Sequence, residues 1–183
     1  MALPRWRRYH AKGLVDVNSH RIGAHFITFV LRRREHLLST INRDEVTLLE
    51  MGKAFERSLC ATMLRHAAAS VDCHVVMPDH VHLILQIGEN STIGLERLVG
   101  EIKGASARRM NELWRTTGPI WRRGYHRGLL ASAEQFERAR RYIANNPSKW
   151  ATKYSATDTG FMRAPFRAPA PQQPTRAAPP TRE

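Results

Sequence analysis

Cysteine is almost missing from the chain: Cys60 and Cys73 are the two in 183 residues. That is too few for a disulfide framework and suits a reducing compartment. No run approaches the roughly 18 apolar residues of a membrane-spanning helix. The first twenty positions carry Arg5, Arg7, Arg8 and Lys12 without an apolar signal-peptide stretch, so neither secretion nor membrane insertion is expected. Acidic residues are scarce as well, 16 Asp+Glu against 29 Lys+Arg, for a formal net charge of +13. With 42% hydrophobic and 25% charged residues, the composition is that of a soluble globular domain and excludes collagen-like, coiled-coil and wholly disordered chains. Most of the cations are arginines, whose planar fork pairs with phosphate, so nucleic acid is a better expected partner than a generic acidic surface.

Internal repeats and Gly/Ser linkers are lacking too, and one folded domain is expected over residues 21–154. A basic arm precedes it at 1–20. A Pro/Ala/Arg-rich tail follows at 155–183, where six of the ten prolines fall, and this composition reads as disordered. Ile22 to Leu31 reads as a strand buried on both faces. After a turn near Thr40 to Asn42, the spacing of Phe55, Leu59, Thr62, Met63 and His66 predicts an amphipathic helix within Asp44 to Ala69. Val71 to Val76 and His80 to Ile87 are β-rich runs joined by Met77-Pro78-Asp79. Ile93, Leu95, Leu98, Val99 and Ile102 predict a second helix from about Thr92 to Trp114, stopped by Thr117-Gly118-Pro119. Ile120 to Leu130 reads as a short, irregular strand. Ser132 and Gln135 then form a capping box, ahead of a helix striped by Phe136, Ala139 and Ile143 and ended by Asn146-Pro147. The order β-α-β-β-α-β-α predicts an α+β fold: a ferredoxin-like βαββαβ antiparallel sheet with an additional C-terminal helix.

Two residues apart on a strand, His80 and His82 project to one side, about 7 Å apart at the backbone. Two imidazoles so placed can share a divalent cation; the competing reading is one hydrogen-bonded core histidine and one solvated. On the last helix Tyr142 and Asn146 share a face, with Arg138 one turn before Tyr142. A tyrosine at the core edge with Asn145 and Asn146 as caps fits the same pattern. Spacing does not single out Tyr142 over Tyr125.

Three motifs in this order and spacing carry a resemblance: Met77-Pro78-Asp79-His80-Val81-His82-Leu83, Trp121-Arg122-Arg123-Gly124-Tyr125-His126 and Tyr142-Ile143-Ala144-Asn145-Asn146-Pro147. Over roughly residues 20–147 the chain resembles the REP-associated tyrosine transposases, a branch of the single-tyrosine HUH transposases. The resemblance implies Mg²⁺ or Mn²⁺ on His80 and His82, with Asn146 as the third, carboxamide ligand. It also implies Tyr142 as the nucleophile, leaving a 5′-phosphotyrosine and a free 3′-OH. The implied substrate is single-stranded DNA flanked by hairpin repeats, and the implied setting is the nucleoid of a bacterial cytoplasm, with the protein a monomer or homodimer. The chain departs from the pattern at Arg127 and Gly128, where Asp and His are frequent, and at Ser148-Lys149-Trp150, where an apolar stretch is usual.

Within that picture Lys103, Arg108, Arg109, Arg122, Arg123 and Arg138 are candidate DNA contacts, while Trp121 and Tyr125 are candidates to stack on bases. Arg5-Trp6-Arg7-Arg8-Tyr9 interleaves cations and aromatics as nucleic-acid arms do. The main alternative is a domesticated, non-catalytic nucleic-acid-binding protein on the same fold. An RNA-recognition domain would need an aromatic-rich strand that the sequence lacks. A two-histidine phosphoesterase needs a second H-x-[ST] element, and His126 is followed by Arg127-Gly128. A structural zinc site built from Cys60, Cys73, His74, His80 and His82 lacks the usual ligand spacings.

Overall fold

A computed structural model describes residues 7–9 and 22–155. The expected basic arm lies outside them except for Arg7–Tyr9, and the expected disordered tail except for Ser155. The elements in chain order are β1 (Arg7–Tyr9), β2 (Gly23–Val30), β3 (Ser39–Asn42), β4 (Glu45–Leu48), α1 (Glu50–Met63), β5 (Ala69–Val76), β6 (His80–Ile87), α2 (Leu95–Trp114), β7 (Tyr125–Leu130), α3 (Ala133–Ala144) and α4 (Asn146–Ser155).

The main sheet has the order β1-β7-β2-β6-β5, antiparallel throughout. Without β1 this is the ferredoxin-like order expected from β-α-β-β-α-β: β6 lies between β2 and β5, and β2 lies between β6 and β7. Strand alternation divides the side chains between two cores. Ile27, Phe29, Val81, Leu83 and Leu85 pack with Phe55 and Leu59 of α1 and Leu98 and Ile102 of α2. Phe26, Ile84 and Leu130 face the other way, against Ala139 and Ile143 of α3. The third helix therefore covers the sheet face opposite α1 and α2.

Two features depart from the expected order. The segment read as a turn and the start of a helix is instead the hairpin β3–β4. Its β-branched Thr40, Ile41, Val46 and Thr47 favour strand, and Arg43 takes the left-handed backbone at the bend, φ 58°. α1 starts only after this hairpin. It approaches so closely that a Cβ on Gly52 would sit 2.1 Å from the Leu38 carbonyl oxygen, which leaves room for glycine alone.

The second departure is at Asn146-Pro147. The pair ends α3, as expected, but it also opens α4, because proline is well suited to a first helical turn, where no N–H partner is needed. At the other end of α3 the expected cap is present: Ser132 Oγ accepts from the Gln135 N–H at 3.2 Å. Gln135 Oε1 returns to the N–H of Ala131, at 2.9 Å.

Candidate active site

The bend Pro78-Asp79 sets the site. It is buried between the sheet and the segment before β3, with Leu37 and Leu38 N–H groups donating to the Pro78 carbonyl and Leu31 N–H to that of Asp79. From this anchored bend, alternation along β6 sends His80, His82 and Ile84 toward the α3 side. His82 is 7% exposed and lies across from Thr28 of β2.

Each imidazole is held by its Nδ1. His80 Nδ1 lies 2.5 Å from Asp79 Oδ1, and His82 Nδ1 lies 2.7 Å from Thr28 Oγ1. The two Nε2 atoms are left facing each other, 3.1 Å apart. A carboxylate only accepts, so the Asp79 bond puts a proton on His80 Nδ1 and, in the neutral ring, a lone pair on Nε2. Where Thr28 accepts from His82, both Nε2 atoms present lone pairs, and a cation between them relieves the repulsion. Where Thr28 donates, His82 Nε2–H bonds to His80 and the pair satisfies itself. The spacing fits the first state well: adjacent ligands of an octahedral ion at about 2.1 Å stand about 3.0 Å apart.

Electrostatics favour the neutral form of His82. Burial, followed by the charge of His80, holds His82 well below the ordinary histidine range. Burial alone would raise Asp79. The hydrogen bond and charge of His80, with Arg34 at 3.1 Å, instead keep it below the usual carboxylate value. Such a carboxylate behind a ligating histidine fixes the tautomer and increases basicity.

Tyr142, on α3, meets this pair. Its ring stands edge-on to His82, centroids 5.3 Å apart, and edge-on to Phe26 at 5.7 Å. Lys149 Nζ lies 5.0 Å from the centre of the phenol ring. Among the described residues no third His, Cys, Asp or Glu joins the histidines in a cluster able to hold a metal. The donor half of the buried Asn146 carboxamide is spent on the Tyr142 carbonyl, at 2.8 Å. One turn on from Asn146, Trp150 packs on His80 at 5.9 Å between centroids, so Asn146 belongs to the face of α4 that meets the histidines. Sequence reasoning missed Trp150, together with the anchors Thr28 and Asp79. The apolar alternation of β2 conceals Thr28; Asp79 stands inside the motif, where its place in the Met77-Pro78-Asp79 connection between two β-rich runs hides its role behind His80.

The candidate DNA contacts fare unevenly. Trp121 is a correction: it is 5% exposed, packs on Phe29 and Phe55, and donates Nε1–H to Ser106 at 2.9 Å. Its faces are core, closed to base stacking. Tyr125 packs at the edge of the same core with its hydroxyl oxygen buried, which also disfavours stacking. Lys103 is turned inward, donating to the carbonyls of Arg122 and Gly124 at 2.8 and 2.6 Å. Arg138 is paired with Glu134 of its own helix. Arg108, Arg109, Arg122 and Arg123 are exposed. The zinc alternative is not assembled: Cys73 belongs to the α3 side, while His74 bonds Glu56 of α1 at 3.0 Å.

Residues 18–146 match the family model described as "Transposase IS200 like". An uncharacterized protein of Haemophilus influenzae is 23% identical over 162 residues, 75% of this chain and 87% of that protein. Among solved structures, a REP-associated tyrosine transposase bound to a REP hairpin superposes with a TM-score of 0.56 at 20% identity, covering 79% of this chain and 72% of that one. That likeness is one of fold.

Proposed function

Because the chain belongs to the IS200-like transposase family, we propose that it cleaves and rejoins single-stranded DNA through Tyr142, with Mg²⁺ or Mn²⁺ held by His80, His82 and Asn146. The observation that carries this reading is the meeting of a histidine pair on β6 with a tyrosine from α3, some sixty residues later in the chain. Two imidazoles present Nε2 atoms 3.1 Å apart, and the Tyr142 ring lies against one of them.

A free phenol titrates near pH 10 and is about 99.9% protonated at neutral pH, so it needs assistance as a nucleophile. When bound, the divalent ion supplies Lewis-acid polarisation of a non-bridging oxygen of the scissile phosphate. The chain's own part is positional. Asp79 and Thr28 fix the imidazoles, and α3 brings the phenol against His82. The Tyr142 oxygen gives up its proton and bonds to phosphorus, and the bond from phosphorus to the 3′ oxygen breaks. That oxygen leaves as a 3′-OH after taking a proton. The phosphotyrosine conserves the phosphodiester bond energy, so a 3′-OH can reverse the step without a nucleotide cofactor. Hairpin repeats as the recognised feature are supported by the resemblance and by the hairpin bound to the structural neighbour.

The test is incubation of the protein with labelled, hairpin-flanked single-stranded DNA and Mn²⁺, followed by denaturing electrophoresis. A covalent adduct lost in Tyr142→Phe supports the reading. A salt-sensitive mobility shift with no adduct from either protein would reduce the function to binding alone.

A further inference from the structure

Between the Leu31–Trp121 bridge and the Thr28–His126 pair, β2 contributes fewer residues than the strand opposite it. Arg122 N–H still donates to the Val30 carbonyl at 2.8 Å, and the surplus beyond it, centred on Arg123 and Gly124, is pushed out of the ladder as a bulge. Gly124 allows it by taking φ 73°. From the α2 side, Lys103 pulls two of the bulge's carbonyls toward itself. What opens is a groove of about 350 Å³, lined by Thr28, Arg32, Arg122, Arg123, Gly124 and His126 among others.

Three observations give the groove a direction and a ligand class. It is joined to the histidine pair through Thr28, which lines it and also bonds His82 Nδ1. His126, opposite Thr28 in the sheet register, is on the same face as His82. Its cations are also uncommitted: among the described residues Arg32, Arg122 and Arg123 form no ion pair, whereas Arg34, Arg127, Arg138 and Arg140 are each tied to a carboxylate. Three guanidiniums with no ion-pair partner among the described residues stand around one concavity, an arrangement suited to a polyanion, because each fork can hold two oxygens of one phosphate.

We propose that this groove binds the phosphodiester backbone of the unpaired strand and leads it over Thr28 to the histidine pair, with Arg32, Arg122 and Arg123 as its phosphate contacts and Lys103 as the residue positioning the bulge. The inference rests on the cleavage reading for the role of the histidines. The binding itself is separable from it.

Fluorescence anisotropy of a labelled, hairpin-free ten-nucleotide oligo-dT between 50 and 200 mM salt tests it. Arg122→Ala/Arg123→Ala should lose roughly tenfold in affinity at low salt, and the slope of log K against log salt should shrink by about 1.4, two contacts at about 0.7 each for a single strand. Arg57→Ala/Arg65→Ala, which removes equal charge from exposed positions on and just after α1, should change affinity less than twofold. Matching circular dichroism melts of all three proteins keep the comparison one of binding. Equal losses in the two double variants, or none in the groove variant, would overturn the proposal.

The adduct assay separates this inference from the catalytic reading. If wild-type protein forms the adduct while the groove variant binds oligo-dT like the control, the groove is refuted and the cleavage reading stands. If no adduct forms but the groove variant alone loses oligo-dT, the groove is supported and the cleavage reading fails.

Discussion

His82 and Tyr142 meet edge to face with ring centroids 5.3 Å apart, one on the interior strand β6 and the other near the end of α3. The contact requires α3 to lie across the sheet face from which His82 projects. Ala139 and Ile143 secure that placement by packing on Phe26, Ile84 and Leu130. The exposed pairing of Arg140 with Asp72 of β5 adds a second tether.

The anchors of the histidines should control metal affinity. Asp79→Asn and Thr28→Val each leave both imidazoles in place but loosen a Nδ1 bond, so each should weaken Mn²⁺ binding roughly 10- to 100-fold, the usual effect of losing a partner behind a ligand. Isothermal titration with Mn²⁺ measures it. Wild-type affinity in both variants would remove the argument that these bonds prepare the site.

Trp121 should act on stability. Trp121→Ala should cost about 3–5 kcal/mol, as large-to-small changes of buried aromatics do. Trp121→Phe keeps much of the packing but gives up the bond to Ser106 and should cost about 1–3 kcal/mol through the orphaned group. Urea unfolding reads both. A Trp121→Phe protein of unchanged stability with selectively weakened DNA binding would restore the stacking role that burial excludes.

Burial pushes Lys103 down to about 8 from an ordinary 10.5. Between those values the unfolded chain holds a proton that the folded chain has released, so this group makes stability rise with pH across that window. Below pH 8 the cost of burying the charge is present in full. The urea midpoint of the wild type should therefore climb relative to Lys103→Met from pH 8 to 10. Parallel profiles would mean that the ammonium is not desolvated in its bonds to Arg122 and Gly124.

The two thiols should differ in reactivity. Cys60 is exposed on α1, whereas burial and the neighbouring Asp72 raise the Cys73 thiol to about 11. At pH 8 the thiolate is the reacting form, so iodoacetamide should label Cys60 first and leave Cys73 largely unmodified until denaturant is added. Mass spectrometry of timed samples shows the order, and equal rates would contradict the burial of Cys73 under α3.

Much of this architecture is legible in the sequence because periodicity is a local property. Leu95, Leu98, Val99 and Ile102 mark the buried face of α2, and the alternation of β6 already puts His80 and His82 together. The hairpin β3–β4 was obscured because its short strands merge into the polar run before α1. The second role of Asn146-Pro147 was obscured because a helix stop and a helix start share the same residues. Burial is a sum over distant contacts: nothing near Trp121 announces that Phe29, Phe55 and Ser106 surround it. The same holds for Thr28, whose bond to His82 spans two strands, and for Lys103, whose charge the sequence shows but whose inward direction only packing decides.

Tyr142 is the residue proposed to take up DNA. The most direct measurement is mass-spectrometric mapping of the nucleotide-bearing peptide after trapping with hairpin-flanked single-stranded DNA and Mn²⁺ and digestion of both components. A phosphodeoxynucleotide is expected on the peptide containing Tyr142, and is expected to be absent when His80 and His82 are replaced by alanine. A modified Tyr125 or Tyr154, or a modification that persists without the histidines, would contradict it.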